Sequence, residues 1–310
     1  MRPVPARGWS WTTWGVFLVV AVIWGFNYIF VNLGLGFSSP LWLATLRGAV
    51  GVAASAAILV AVGGERKLDR RGRRDAMLIG IPSITVFFAL WFEAAASVLP
   101  GLTSVVINTL PLWIALLSAP ILSHPLTGRH WVSVAVGFVG VLLISQIGTL
   151  AGSGIPLGAI LELLLAAFSW ALATVLFQRR FRREEMLEAN LFQLSGGTIG
   201  LVVLTLVLAP TPLPTLGLGL LTTVGYLGIL GTAVGYSIWL DLLGRTRAAT
   251  LGAYLFVVPV VALAASTLIF HEQLSYPQLV GVVFVLASIY GIGKAPGASD
   301  PLTTPGPKPG

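Results

Sequence analysis

Cysteine is absent from this 310-residue chain, and charged residues make up only 9% of it. The lack of thiols excludes disulfide bridges and thiolate metal sites. A chain that is 56% hydrophobic with so few charges is too apolar for a soluble globular protein. Acidic residues number 11 against 18 Lys and Arg, which leaves a net charge of +7. The composition therefore predicts a membrane protein with an excess of positive charge.

Sequence motifs of catalytic, phosphate-binding and metal-binding sites are also missing. No Ser–His–Asp set, glycine-rich phosphate loop or metal-ligand cluster can be assembled, and the three histidines lack the spacing of a zinc helix. The basic residues are dispersed among short connections, which argues against a nucleic-acid surface. A channel lined by repeated polar or charged rings is not indicated either. We therefore expect no enzyme, no nucleic-acid partner, and no cofactor or metal.

Long apolar runs fill most of the chain. Each is close to the roughly 20 residues that a helix needs to cross a ~30 Å hydrocarbon layer. Continuous runs, rather than alternation, favour helices over a β-barrel. The ten predicted spanning segments are residues 12–36, 41–62, 76–98, 102–122, 131–147, 156–177, 186–208, 216–242, 248–270 and 277–293. Residues 295–310 are rich in Pro and Gly and are predicted to form a disordered tail.

The second half of the chain repeats the first at an offset of 146 to 148 residues. Wherever a loop in one half is rich in arginine, its counterpart has no Lys or Arg, as in 65–75 against 209–217. Because positive loops stay in the cytoplasm, the two copies are predicted to cross the membrane in opposite directions. Matched pairs are Trp24 and Trp170, Arg47 and Gln193, Gly51 and Gly197, Trp91 and Trp239, Glu93 and Asp241, and Pro111 and Pro259.

These features predict an all-α integral membrane protein of ten transmembrane helices, built as two inverted five-helix repeats, 12–147 and 156–293. With the N-terminus inside, both termini are cytoplasmic. That arrangement puts 17 of the 18 Lys and Arg on the cytoplasmic side, and the other, Arg47, lies within segment 2. The excess of Lys and Arg is thus explained by their location in cytoplasmic loops, where they orient the protein in the membrane and attract anionic lipid headgroups.

Charges inside the membrane need a partner or a role, because each costs about 2.5–3.5 kcal/mol near the bilayer centre. Arg47 is predicted to contact a substrate carboxylate or to act as a gate. The alternative is a structural arginine bonded to helix-end carbonyls or to an acid. Glu93 and Glu162 are candidates for proton coupling; otherwise they are hydrated or paired with Arg47. Asp241 has Arg245 four residues on, the spacing of an interfacial ion pair.

Aromatic and amide side chains near mid-depth indicate a central site. An indole N–H in hydrocarbon needs a partner, so Trp24 and Trp170 are predicted to face a polar cavity, with plain helix packing as the alternative. Asn27 and Asn108 suit hydrogen bonds either to a small polar ligand or between helices. The predicted substrate-binding residues are Trp24, Asn27, Tyr28, Arg47, Phe88, Trp91, Phe92, Asn108, Trp170 and Tyr226.

Pro111 and Pro259 lie in the middle of segments 4 and 9, at matched positions of the repeat. A mid-helix proline removes one backbone hydrogen bond and bends the helix. We therefore predict that the two prolines are paired hinges of a rocking movement.

The chain resembles the EamA-type permeases of the drug/metabolite transporter superfamily. Segment 1 carries the family-like IWGFNYIFVN, echoed by SWALATVLFQ at residues 169–178, and segment 2 has the family-like arginine in LATLRGAVG. Residues 255–292 look like the family's proline, acidic turn and final glycine-rich helix. The first copy departs from this pattern, with His124 where Glu272 stands in the second. Within the family, the layout is most similar to the YddG-type aromatic amino-acid exporters.

This resemblance implies a monomer that exports amino acids and related small metabolites, aromatic or apolar, across the bacterial inner membrane by alternating access. The substrate would be enclosed in the central aromatic cavity. Aromatic walls also suit lipophilic cations. A multidrug exporter of the same fold is therefore the alternative.

Overall fold

The computed structural model describes residues 11–62, 67–98, 103, 106–123, 126–144, 156–209, 213–270 and 275–293. Within these ranges the chain is all-helical, with no strand. Seven helices there are long and apolar enough to cross a membrane, and three further apolar helices have 10–17 residues. The predicted all-α, multi-pass membrane protein is confirmed at this level. His124, Glu272 and the tail at 295–310 lie outside the described residues.

We number the helices α1 to α10 in chain order. Their bounds are α1 Trp11–Leu35, α2 Pro40–Ala61, α3 Arg70–Ser97, α4 Leu110–Leu122, α5 Gly128–Ile144, α6 Leu157–Arg180, α7 Met186–Leu208, α8 Leu218–Leu243, α9 in two pieces at Ala248–Tyr254 and Val257–Phe270, and α10 Tyr276–Gly293.

Helix ends at the charged loops extend beyond the predicted apolar runs. α3 starts at Arg70 rather than at residue 76, because Asp69 caps it by accepting the Gly72 N–H at 2.7 Å. α6 runs to Arg180 rather than to residue 177, with two arginines in its last turn. Cations are favourable at a helix C-terminus. For these two helices, hydropathy located the apolar part and missed the charged turn that continues it.

α3 and α8 each contain a wide π-helical stretch, at Ile81–Val86 and Tyr226–Val234. When the first stretch is shifted by the repeat offset of 146 to 148 residues, it falls within the second. A π-helical turn inserts extra residues and changes which face the following side chains occupy. It is therefore a feature of both halves that apolar periodicity alone does not reveal.

Two helices are interrupted next to the prolines that were predicted as hinges. A turn at Asn108 and Thr109 precedes α4, and α9 is broken at Leu255 and Phe256. Pro111 is thus the second residue of α4, and Pro259 the third residue of the second piece of α9. The predicted mid-helix position is wrong for both. In the first turn, proline gives up no helix hydrogen bond, and the hinge role stays a prediction.

Ion pairs join the arginine-rich segments at one end of the bundle, which we call the basic end. They link the start of α3 to α6 and α7, and the α6–α7 connection to the end of α8. The pairs are Arg180–Asp75 at 2.7 Å, Arg73–Glu188 at 3.1 Å, Arg183–Asp241 at 3.2 Å and Arg245–Asp241 at 2.5 Å. The last is the ion pair predicted from helical spacing.

Helices at matched positions of the two halves pack against each other and run in opposite directions. In α2 and α7, the Thr45 and Thr205 hydroxyls are 2.8 Å apart, while Gly48 lies against Thr198. In α5 and α10, the Ser288 hydroxyl donates to the Ser133 carbonyl oxygen at 2.6 Å. Further along the same pair, Gly140 lies against Gly281, so residue numbers rise in one helix as they fall in the other.

Replacing Gly140 with valine should destabilise the α5–α10 pair. A side-chain carbon at Gly140 would lie 2.8 Å from the Gly281 carbonyl oxygen, and backbone on both sides cannot yield easily. Overpacking of this kind costs about 1–3 kcal/mol, so the thermal unfolding temperature in detergent should fall. Gly15→Val is the matched control, because nothing lies within 4 Å of that position. Equal stability of the two variants would contradict this packing.

Candidate functional site

A cavity of about 60 Å³ lies between the central helices, room for roughly four or five ordered waters. Its wall includes a buried arginine, two asparagines and a surrounding set of aromatic rings. The wall residues are Trp24, Asn27, Tyr28, Arg47, Phe87, Phe88, Trp91, Ile107, Asn108, Leu110, Trp170, Tyr236, Leu255 and Val258. They come from α1, α2, α3, α4, α6, α8, α9 and the turn before α4.

Four aromatic residues close the cavity toward the basic end. The Trp24 ring centroid lies 5.9 Å from that of Trp170 and 5.5 Å from that of Trp239. The Trp24 indole N–H donates to the Gly231 carbonyl oxygen at 3.1 Å. The Trp170 indole N–H donates to the Tyr236 hydroxyl at 2.9 Å. Both indole N–H groups thus have the hydrogen-bond partner that an indole shielded from water requires.

A second aromatic group forms the opposite wall. The Trp91 ring centroid lies 5.3 Å from that of Phe87 and 5.6 Å from that of Tyr28. The Asn108 side-chain amide donates to the Tyr28 hydroxyl at 3.4 Å. The cavity is therefore enclosed by rings on both sides, with polar groups inserted between them.

Arg47 is the charged residue of the wall, and its side chain is 1% exposed. Its Nε donates to the Thr232 hydroxyl at 2.8 Å, and one terminal nitrogen donates to the Gly231 carbonyl oxygen at 3.4 Å. The guanidinium carbon lies 4.1 Å above the centre of the Phe88 ring. Among the described residues no carboxylate forms an ion pair with it.

The two carboxylates proposed for proton coupling lie away from this wall. Glu93 is exposed on α3, and its electrostatic neighbour is Glu162 of α6. Neither residue lines the cavity, and the suggested pairing of either with Arg47 is wrong. The physical reason is that Arg47 turns toward α8, where the Gly231 and Thr232 oxygens accept its hydrogen bonds. A role of the two acids in proton coupling stays a prediction.

Three buried polar atoms on wall residues have no hydrogen-bond partner in the part of the chain that the structure describes. They are the Asn27 side-chain oxygen, the second terminal nitrogen of Arg47 and the Trp91 indole nitrogen. Buried polar groups are normally paired, and an unpaired one is costly. These two donors and one acceptor have almost no accessible surface here, so a bound molecule could satisfy them only after the wall residues move.

Eight of the ten predicted substrate-binding residues lie on this wall: Trp24, Asn27, Tyr28, Arg47, Phe88, Trp91, Asn108 and Trp170. Whether they bind substrate stays a prediction.

Phe92 and Tyr226 are not on the wall. Phe92 is fully buried behind Phe88 and Trp91. Tyr226 stacks on Phe30 with centroids 3.8 Å apart and donates its hydroxyl to the Ile23 carbonyl oxygen at 2.9 Å.

Tyr236 lies on the wall but is not among the predicted substrate-binding residues. It follows the π-helical stretch Tyr226–Val234. A signal was nevertheless present, because Tyr236 matches the predicted site residue Phe88 at an offset of 148. Applying the repeat offset to each predicted residue would have found it.

Comparison with known proteins shows similarity along almost the whole chain. The model of the EamA-like transporter family matches residues 12–146 and 157–294. The chain is 30% identical to an uncharacterized transporter of Synechocystis sp., over 88% of this chain and 87% of the relative. It is 29% identical to a probable amino-acid metabolite efflux pump of Escherichia coli, over 88% of this chain and 92% of the relative.

Two further similarities concern location and fold. The chain is 28% identical to YedA, an uncharacterized inner membrane transporter of Escherichia coli, over 94% of each chain. A crystal structure with 18% sequence identity matches with a TM-score of 0.75, covering 91% of this chain and 98% of that one. At this identity the match shows a shared fold.

Tyr236→Phe should destabilise the protein, because it leaves the buried Trp170 indole N–H unpaired. A buried donor that loses its partner costs about 1–3 kcal/mol, which thermal unfolding in detergent would detect. The double variant Trp170→Phe, Tyr236→Phe removes both members of the pair and should recover part of the loss. If the double variant were as unstable as the sum of the two single variants, this hydrogen bond would not be the cause.

Proposed function

The chain belongs to the EamA-like transporter family, and we propose that it exports aromatic or apolar amino acids and related small metabolites across the bacterial inner membrane. The observation that carries this proposal is Arg47, a buried guanidinium with no acidic partner among the described residues, on the wall of an aromatic cavity.

A substrate carboxylate is the group that Arg47 lacks. A buried charge without a counter-charge is strongly unfavourable. One terminal nitrogen of Arg47 remains unpaired within the described part of the chain, and guanidinium groups bind carboxylates through paired hydrogen bonds. A substrate with a carboxylate would supply both the missing charge and the missing acceptor.

The other wall groups suit the rest of an amino acid. The unpaired side-chain oxygen of Asn27 can accept a hydrogen bond from an ammonium group. The rings of Trp24, Trp91 and Trp170 line the same cavity and would enclose an apolar or aromatic side chain by edge and face contacts. Each part of a zwitterionic substrate thereby has a matching group on the wall.

Export of lipophilic cations is the second candidate, and the aromatic walls favour it through cation–π contacts. Arg47 argues against it, because its guanidinium already occupies the face of Phe88 at 4.1 Å. A cationic substrate would meet a like charge in a water-poor cavity, where repulsion is weakly screened. The amino-acid proposal is therefore the better supported of the two.

We propose that transport uses two inverted five-helix units, residues 12–147 and 156–293. The antiparallel packing of α2 with α7 and of α5 with α10 supports this arrangement. Trp24 and Trp170, which match in the repeat, meet at 5.9 Å, and Phe88 meets its match Tyr236 at 6.4 Å. Matched residues that touch each other must lie near the axis that relates the two copies.

The basic end is proposed to face the cytoplasm, with all ten helices crossing the membrane and both termini inside, because arginine-rich loops are retained on that side. The cavity is complete within one chain, which supports a monomer as the transporting unit.

At about 60 Å³, the cavity is small for an amino acid with an aromatic ring. Loading therefore requires the walls to part, and the interruptions beside Pro111 and Pro259 are proposed as the places where α4 and α9 bend.

Arg47→Gln tests the proposal in liposomes that contain the purified protein. Loss of a charge-assisted hydrogen bond costs about 1.5–3 kcal/mol, so uptake of labelled phenylalanine or tryptophan should fall at least tenfold. Uptake of tetraphenylphosphonium should not fall, since a repulsive charge has been removed.

Arg71→Gln is the matched control, because it removes an exposed arginine at the basic end and should leave uptake unchanged. An Arg47→Gln protein that retains its unfolding temperature and transports amino acids at the parent rate would refute carboxylate recognition by Arg47. Robust uptake of tetraphenylphosphonium by the parent, without amino-acid uptake, would favour the cation exporter instead.

A further inference from the structure

Gln178, in the last turn of α6, binds three backbone groups of the α8–α9 connection. Its amide nitrogen donates to the carbonyl oxygens of Leu243 and Thr246, both at 2.7 Å. Its amide oxygen accepts the Ala248 N–H at 2.8 Å. The side chain is buried. One residue therefore fastens the end of α6 to the end of α8 and to the start of α9.

The helices that Gln178 holds together all contribute to the cavity wall. α6 supplies Trp170, α8 supplies Tyr236 and α9 supplies Val258. Trp170, Thr174 and Gln178 are spaced by four residues and all are buried, so they form one stripe of α6. This stripe runs from the cavity to the basic end. The three hydrogen bonds of Gln178 join α6, α8 and α9 where this stripe ends.

Asn32 is the residue that matches Gln178 at the repeat offset of 146, and its surroundings differ. It is exposed near the end of α1, and its side chain makes no hydrogen bond within the described part of the chain. It lines a second cavity, of about 10 Å³, together with Ala95 and Thr103, which has room for roughly one water. Ala95 is itself the match of Leu243, whose carbonyl oxygen Gln178 binds.

The two matched side-chain amides thus differ within one structure. The amide of Gln178, at the basic end, is hydrogen-bonded to the backbone, and the amide of Asn32, at the opposite end, lines a small cavity. We propose that Gln178 and Asn32 are alternating latches of the transport cycle. Gln178 keeps the basic end closed in this conformation. When it releases, Asn32 binds the backbone at the end of α3 and closes the opposite end. This inference rests on the alternating access of the proposed function.

The test uses thiol labelling, for which a chain without cysteine provides a silent background. A Thr174→Cys reporter lies on the α6 stripe between Trp170 and Gln178, where the native side chain is 4% exposed. Gln178→Leu keeps the side-chain bulk and removes the three hydrogen bonds. In lipid nanodiscs without substrate, reaction of the reporter with a water-soluble maleimide should become at least tenfold faster in this variant.

Gln193→Leu is the matched control, because Gln193 is also a buried glutamine but lies on α7 and bonds no group of the α8–α9 connection. It should leave labelling at residue 174 unchanged. A Val134→Cys reporter, at a fully buried position of α5, monitors unfolding and should stay slow in every variant.

Adding Asn32→Ala to the Gln178→Leu protein removes the second latch and should bring the labelling rate back toward that of the parent. Equal labelling of residue 174 in the Gln178→Leu and parent backgrounds, with slow labelling at residue 134, would overturn the role of Gln178. A raised rate that Asn32→Ala leaves unaltered would overturn the role of Asn32. Because labelling needs no substrate, either failure is distinguishable from a failure of amino-acid transport.

Discussion

The rest of the site depends on a positive charge that the protein buries without supplying an acid among its described residues. Arg47 reaches across from α2 to α8, where the Thr232 hydroxyl and the Gly231 carbonyl oxygen accept its hydrogen bonds. Those neutral partners position the guanidinium but leave its charge uncompensated, and the Phe88 ring compensates it only in part. The wall is therefore complementary to an anionic group. The substrate proposal is based on this uncompensated charge and not on the shape of the cavity.

Contacts between matched residues explain why the cavity lies where it does. In the proposed inverted arrangement, each side chain has a counterpart at the opposite depth, and only residues near the midplane can meet their own match. Trp24 meets Trp170, and Phe88 meets Tyr236. Large rings at these positions fill the central volume from both halves. Small residues such as Gly140 and Gly281 permit close helix packing at the periphery.

Much of the fold could be predicted because hydrocarbon imposes simple rules on sequence. Apolar runs located the helices, and eight predicted residues proved to share one cavity wall. The errors came from local backbone geometry that hydropathy does not encode. Pro111 was assigned to a helix interior because the apolar run is continuous there, whereas the turn at Asn108 and Thr109 makes it the start of a helix. Tyr236 was omitted from the predicted site, although it matches the predicted residue Phe88 at the repeat offset.

The carbonyl oxygen of Gly231 accepts hydrogen bonds from two side chains at once, the Trp24 indole and the Arg47 guanidinium. A carbonyl oxygen has two lone pairs, so it accepts both hydrogen bonds at once. One main-chain atom of α8 is therefore bonded to side chains of both α1 and α2. Under the proposed function, an anion that drew the guanidinium aside would free this oxygen from α2 and leave α1 bonded to it.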